Sequence, residues 1–204
     1  MSNTEFSSAK NRLFIEERNP NRGAWISNPA NKFFLYSEGY RAAGQILYDY
    51  CIENSCCFNT LVYPLIFNYR QFLELRLKEL IIMGNRYTDI NKDFPKIHCL
   101  SKLWKIYRND LLPNIDNTID FCLLNNVENL ITQFTDIDPE STSFRYPVKR
   151  TPNREESISM KTIDIENFKI HMDELIIFFD CQWEMIHHYE DFKQEMLSEF
   201  YRGY

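Results

Sequence analysis

Apolar side chains recur at three- and four-residue steps over most of the chain, the spacing that lines one face of an α-helix. Ile66, Tyr69, Leu73, Leu77 and Leu80 give the clearest case and place a long helix over residues 59–83. Gly84-Asn85 supplies its stop. Pro64 either sits just inside a start near Tyr63 or kinks the helix. Residues 32–53 read as a preceding helix, with Phe33, Phe34, Tyr36, Tyr40, Ile46, Leu47 and Tyr50 at similar steps. A third helix, over residues 100–112, turns Leu100, Leu103, Trp104 and Tyr107 inward and stops at Pro113. A fourth, over residues 117–134, presents Ile119, Leu123, Val127, Leu130 and Phe134. A last segment, over residues 164–201, carries Ile165, Phe168, Met172, Leu175, Phe179, Gln182 and Ile186 in a 3-4 rhythm that only Gln182 interrupts. Asp164 is its N-cap. At that length it either bends near Asp180 or projects beyond the body as a dimer arm. The pattern predicts an all-α protein, an up-and-down helical bundle of four to five major helices with a long last helix.

Two stretches fall outside this periodicity. Residues 1–31 form a polar arm rich in Asn, with Asn19-Pro20 and Asn28-Pro29, one short helix near residues 8–17, and Trp25 to tack it onto the body. Residues 32–204 are then a single helical domain. Within it, residues 137–161 form a long loop holding Pro139, Pro147 and Pro152. A loop of that length inside a compact domain is usually functional or disordered.

Composition narrows the class. The chain has 204 residues, 44% of them apolar, enough for one well-buried domain. Only 5 glycines and 8 prolines occur, too few for the many tight turns of a sandwich or barrel. Aromatics at 15% exclude a disordered chain. The net charge of −6 and the absence of a basic stripe exclude a general nucleic-acid coat. The one basic cluster is Lys149-Arg150 with Arg145 and Arg154 nearby, a local phosphate contact or a solvated loop. Six cysteines show no C-x-x-C pair and read as small hydrophobes. With no secretory signal and no run of ~20 apolar residues, the expectation is a cytoplasmic protein with no membrane segment. No H-x-x-x-H spacing appears, so no metal is expected, and no glycine-rich phosphate loop or nucleophile elbow appears, so no cofactor is expected.

Three places carry candidate chemistry. Arg70, Glu74 and Lys78 stand four residues apart beside the apolar face of the second helix. They are either ordinary surface salt bridges or a half-covered charged row that marks a site. His98 heads the third helix after a polar loop, where an imidazole can act as a general base. Phe144-Arg145-Tyr146-Pro147 places an arginine between two aromatics in the long loop. That arrangement suits a phosphate or nucleobase, or equally a loop pinned by its aromatics.

Three segments also resemble one family. Residues 69–81, from Tyr69-Arg70 through Leu73-Glu74-Leu75 to Leu77-Lys78, look like the Y-R-x-x-L-E-L-x-L-K helix of HEPN-like bacterial proteins. His98, Leu100, Leu103 and Trp104 resemble their H-x-L-x-x-L-W helix start, and Arg145-Tyr146-Pro147 is similar to their R-Y-P segment. The three occur in the family's order over roughly residues 32–186. The resemblance implies a helical bundle that forms a homodimer. It further implies a place in antiviral defence or toxin–antitoxin systems, with a role that is either to bind a nucleotide, RNA or a protein partner from the same operon or to cut RNA without a metal. The catalytic motif of the active ribonucleases, Arg then His after four to six residues, is absent. The expected site therefore uses Arg70 and Arg145 as cations and His98 as base, with Glu74, Lys78, Phe144 and Tyr146 binding the ligand. A plain structural dimerisation subunit is the third reading.

Overall fold

A computed structural model describes residues 13–19, 21–24, 26, 32–54, 57–149 and 151–202. Two units divide the chain, Met1–Lys32 and Phe33–Tyr204. In the first, Asn19 organises a turn: its Oδ1 accepts from the Asn21 amide at 3.0 Å and its carbonyl from the Gly23 amide at 2.9 Å. Residues 13–17 are not helical, against the helix expected there. The rest of that expected helix, Trp25, Cys56 and Arg150 lie outside the described residues.

The second unit is all-α, with no strand among the described residues. Its elements are α1 (Lys32–Glu53), α2 (Phe58–Tyr87), α3 (Leu100–Lys105), a π-helical turn (Ile106–Leu111), α4 (Leu112–Ile115), α5 (Phe121–Ile137) and α6 (Ile165–Arg202). α2 is the central helix. It packs on α6, α3 and the π turn, and most of its residues from Leu65 to Asn85 are buried. Leu73, Leu77, Leu80, Trp104, Tyr107, Ile131 and Phe179 make the heart of the core.

Several boundaries differ from the periodicity, each for a local reason. α2 continues past Gly84-Asn85, because Gly84 is used for close approach: a Cβ there would sit 3.1 Å from Ile115 Cδ1 and 3.2 Å from Leu111 Cδ1. Thr88 ends the helix instead, its amide and hydroxyl both donating to the Gly84 carbonyl. Pro64 lies well inside α2, and Thr60, whose carbonyl loses a donor to the ring, is exposed. Pro113 does not stop the third helix. The π turn ahead of it widens the spiral, so the ring falls in the first turn of α4, where its missing N–H is harmless. α5 begins at Phe121 and not at Asn117. Asp116 Oδ1 holds Thr118 in a side-chain turn, and Asp120 caps the Cys122 amide at 2.9 Å. Leu123 is consequently exposed. The described cysteines are free thiols, and Cys122 and Cys181 are exposed rather than packed.

α1 follows its expected face only in part: Tyr40 and Leu47 pack half-buried against the core. Tyr36, Ile46 and Tyr50 are exposed, while Ser37, Gly44 and Cys51 are buried. Gly44 leaves room for the Tyr69 ring of α2, which a Cβ there would meet at 3.0 Å. Gln182, the polar break in the α6 seam, is buried and accepts from the Tyr107 hydroxyl at 2.7 Å. A buried amide with a partner is compatible with the seam. No helix among the described residues is long and apolar enough to cross a membrane.

The two glycines of α1 give a paired test. A Cβ on Gly39 meets nothing within 4 Å. Gly39→Ala is expected to stabilise the protein by ~0.5–1 kcal/mol through helix propensity. Gly44→Ala pushes into the Tyr69 ring and is expected to give no such gain. Urea unfolding of both variants measures the difference.

Candidate functional site

Arg70, Glu74 and Lys78 share one flank of α2, and the loop after α2 folds over them. All three are buried, so they are not a solvated surface row. Glu74 is the hub. Its Oε2 accepts from Arg70 Nη1 at 2.7 Å, and its Oε1 accepts from Lys78 Nζ at 2.8 Å. The same Oε1 lies 2.9 Å from His98 Nδ1. Burial pushes the Glu74 carboxyl up, but the hydrogen bonds from Lys78, Arg70 and His98 outweigh it and hold the group below its ordinary range. The carboxylate is therefore ionised at neutral pH.

That charge state fixes the imidazole. An ionised carboxylate only accepts, so His98 Nδ1 carries the proton. Neutral His98 then keeps Nε2 as an acceptor, on a side chain that is 66% exposed. A buried carboxylate thus orients an exposed imidazole, the arrangement in which a histidine takes a proton through Nε2.

Arg70 is fully buried and holds two loops. Its Nη2 donates to the His98 carbonyl at 2.6 Å. Its Nε stands 3.3 Å from Asp138 Oδ2, an ion pair without hydrogen-bond alignment. The other oxygen of Asp138 accepts from the Thr142 amide at 2.7 Å and the Ser143 amide at 2.9 Å, which closes the turn after α5. Arg70 therefore positions its neighbours rather than meeting a ligand. Lys78 also lies 5.8 Å from the centre of the Phe94 ring.

Arg145 stands apart from this group. Its Nε donates to the Ser141 carbonyl at 2.6 Å, and its guanidinium lies 5.6 Å from the Phe67 ring centre and 5.7 Å from that of Tyr146. Ser141 is buried at a left-handed φ of 61°, and its hydroxyl accepts from Gln71 Nε2 on α2 at 2.5 Å. A non-glycine residue in that region persists only when its surroundings hold it. Arg145 and the half-exposed Tyr146 line a groove of about 770 Å³ with Phe58, Val62, Tyr63 and Lys161. Phe144 is buried between that groove and an apolar cavity of about 240 Å³. Arg70, Glu74, Lys78 and His98 thus come together, and Arg145 with Tyr146 forms a second place. Neither Arg70 nor His98 lines the Arg145 groove. The link between the two is the turn from Asp138 to Ser141.

Sequence reasoning missed Asp138, Ser141 and Gln71. It also missed a second charged cluster on the opposite flank of α2. Arg76 pairs there with Glu79 at 3.1 Å, Glu38 at 2.5 Å and Asp180 at 3.3 Å, and its guanidinium stacks by Phe34 and Phe72. Trp183 Nε1 donates to Glu79 at 2.9 Å. The only sequence signal was the Arg76–Glu79 spacing on α2. Glu184 and His187 have an E-x-x-H spacing on α6, but His187 packs on Trp183 and faces Asp191 at 3.3 Å. No cluster of three metal-ligating side chains occurs among the described residues.

Compared with known proteins, the chain matches no family model, no curated protein and no solved structure. The likeness to HEPN-like proteins therefore rests on the three short segments alone.

Glu74→Gln removes the charge that Arg70 and Lys78 face. It is expected to cost about 3–5 kcal/mol, because buried Lys78 loses its counter-charge and buried Arg70 keeps only Asp138. The pH dependence has a definite sign. The folded-state pKa of Glu74 lies below its unfolded value, so its contribution is fully present above the unfolded pKa and is lost as pH falls through the folded one. Urea unfolding from neutral to acidic pH is expected to show this loss in the native protein and a flatter profile in Glu74→Gln.

Proposed function

We propose that this chain is an HEPN-like module of a bacterial defence or toxin system, and that it binds a phosphate-bearing ligand, a nucleotide or an RNA segment, in the groove of Arg145 and Tyr146. The observation that carries the reading is the pre-set guanidinium of Arg145. Its Nε is held by the Ser141 carbonyl, and Phe67 and Tyr146 lie beside it. A planar fork held this way matches phosphate geometry and loses little freedom on binding. Tyr146 and Tyr63, both about half exposed on the groove, offer ring faces to a base. Lys161, also on the groove, adds a second cation. The net charge of −6 fits a local anion site better than a long nucleic-acid track. The order of the three HEPN-like segments supports the biological setting.

A second reading, a metal-independent ribonuclease with a rearranged site, is favoured by the Glu74-held His98. There Nε2 would take the proton of a ribose 2′-hydroxyl. Because Arg70 is buried behind His98, the cation for the phosphate would have to come from another side chain.

One set of reactions separates the two. Labelled single-stranded RNA and mononucleotides are titrated into the full chain in EDTA, and RNA integrity is followed in the same tubes. The binding reading expects saturable binding without cleavage, weakened at least tenfold by Arg145→Ala and not restored by Arg145→Lys. Cleavage abolished by His98→Ala supports the ribonuclease instead. Absence of binding, or binding unchanged in Arg145→Ala, contradicts the groove as the site.

A further inference from the structure

The apolar cavity behind Phe144 is larger than the voids that a close-packed interior leaves. α5 packs on α3, and a hollow of about 240 Å³ remains between α5, the first turns of α6 and the segment leading into α6. Its lining includes Ile66, Phe144, Met172 and Leu175, all buried. Phe134 and Phe168, edge to face with ring centres 5.8 Å apart, belong to the same wall. The polar members of the lining are more exposed and make its rim: Gln133, Asp164, Asn167 and His171. An apolar interior with a few polar groups at the edge is the ordinary build of a small-molecule site.

We propose that this cavity binds a small neutral aromatic molecule with one hydroxyl or N–H donor, of the phenol or indole class. Volume sets the size. An apolar cavity of ~150 Å³ holds one benzene ring, so about 240 Å³ takes one ring with small substituents or a fused pair. The wall sets the shape, because Phe134, Phe144 and Phe168 offer the edges and faces on which another ring packs. The rim sets the charge. Among the described residues that line the cavity there is no lysine or arginine, and Asp164 is acidic, so a carboxylate or phosphate head would enter without a counter-charge. The rim also sets the donor. His171 Nδ1 stands 2.9 Å from Glu174 Oε2, and in the neutral ring it donates there and leaves Nε2 to accept. An imidazole held from one side loses little freedom when it binds. Asp164 Oδ1 is already taken by the Asn167 amide at 3.0 Å, as the cap of α6, which leaves His171 as the partner of the donor. The groove across Phe144 is the opposite case, since Arg145 and Lys161 select an anion there. The cavity does not depend on what that groove binds.

Calorimetric titration of the full chain with p-cresol, p-xylene and p-toluate tests the site. The three probes are close in size and differ in one substituent: a hydroxyl, a methyl or a carboxylate. p-Cresol and p-xylene are expected to bind with one-to-one saturation, and p-toluate at least tenfold more weakly. His171→Phe is expected to weaken p-cresol roughly five- to tenfold and to leave p-xylene unchanged. Leu130→Trp, on the half-buried wall, is expected to fill the space and abolish binding of both. NMR contacts between bound p-cresol and the Met172 methyl are expected in the native chain, and they locate the probe whether or not the tryptophan variant folds. No saturable binding of p-cresol overturns the proposal, as does binding without contact to Met172 or binding indifferent to a folded Leu130→Trp. p-Toluate bound as tightly as p-cresol overturns the neutral class. Equal losses of p-cresol and p-xylene in His171→Phe overturn the donor to His171.

Discussion

One buried carboxylate organises the described part of the candidate site. Glu74 sits inside the helical body with Arg70, Lys78 and His98 converging on its two oxygens. Replacing such a cluster with apolar residues often leaves stability unchanged or improved. Its consequence is therefore one of position more than of stability. With Glu74 ionised, Arg70 has a fixed place, and from that place it holds the His98 carbonyl on one side and faces Asp138 on the other. Two segments far apart in sequence, the polar loop before α3 and the turn after α5, are registered against α2 by one guanidinium.

The opposite flank of α2 makes a useful contrast. Arg76 gathers Glu38, Glu79 and Asp180, and so joins α1, α2 and α6. It too is buried and charged, yet its partners are carboxylates and aromatic rings, and no imidazole stands over it. That cluster clamps helices. The Glu74 cluster instead ends on an exposed ring, and its polar connections lead on to the Ser141 turn and Arg145. Buried charge alone therefore does not mark a site in this protein. What distinguishes the first cluster is that its exposed member is an imidazole.

The helices were legible because burial imposes a period on the sequence, and Tyr69, Leu73, Leu77 and Leu80 obey it without exception. α1 was misread in part because its fully buried positions are small residues. Ser37, Gly44 and Cys51 carry little hydrophobic signal, while the large residues Tyr36, Ile46 and Tyr50 lie outside. Pro113 was misread as a stop because a π turn leaves no mark in composition. The ladder from Arg70 to Lys78 was legible from its helical spacing, and His98 stood out at a loop end, but their meeting was not legible, because it depends on how the loop before α3 folds back over α2. The separation of Arg145 from His98 was not legible either. It is set by the conformation of residues 138–146, where a left-handed Ser141 and an Asp138-capped turn decide the direction of the chain. Neither feature has a spacing to read.

The most direct measurement of this account is the tautomer of the neutral His98 ring, read from its ring nitrogen shifts by NMR. With Glu74 ionised and accepting from Nδ1, the proton is expected on Nδ1 in the native protein, and that preference is expected to vanish in a folded Glu74→Gln variant. A native His98 with its proton on Nε2 would contradict the claim that Glu74 orients the site.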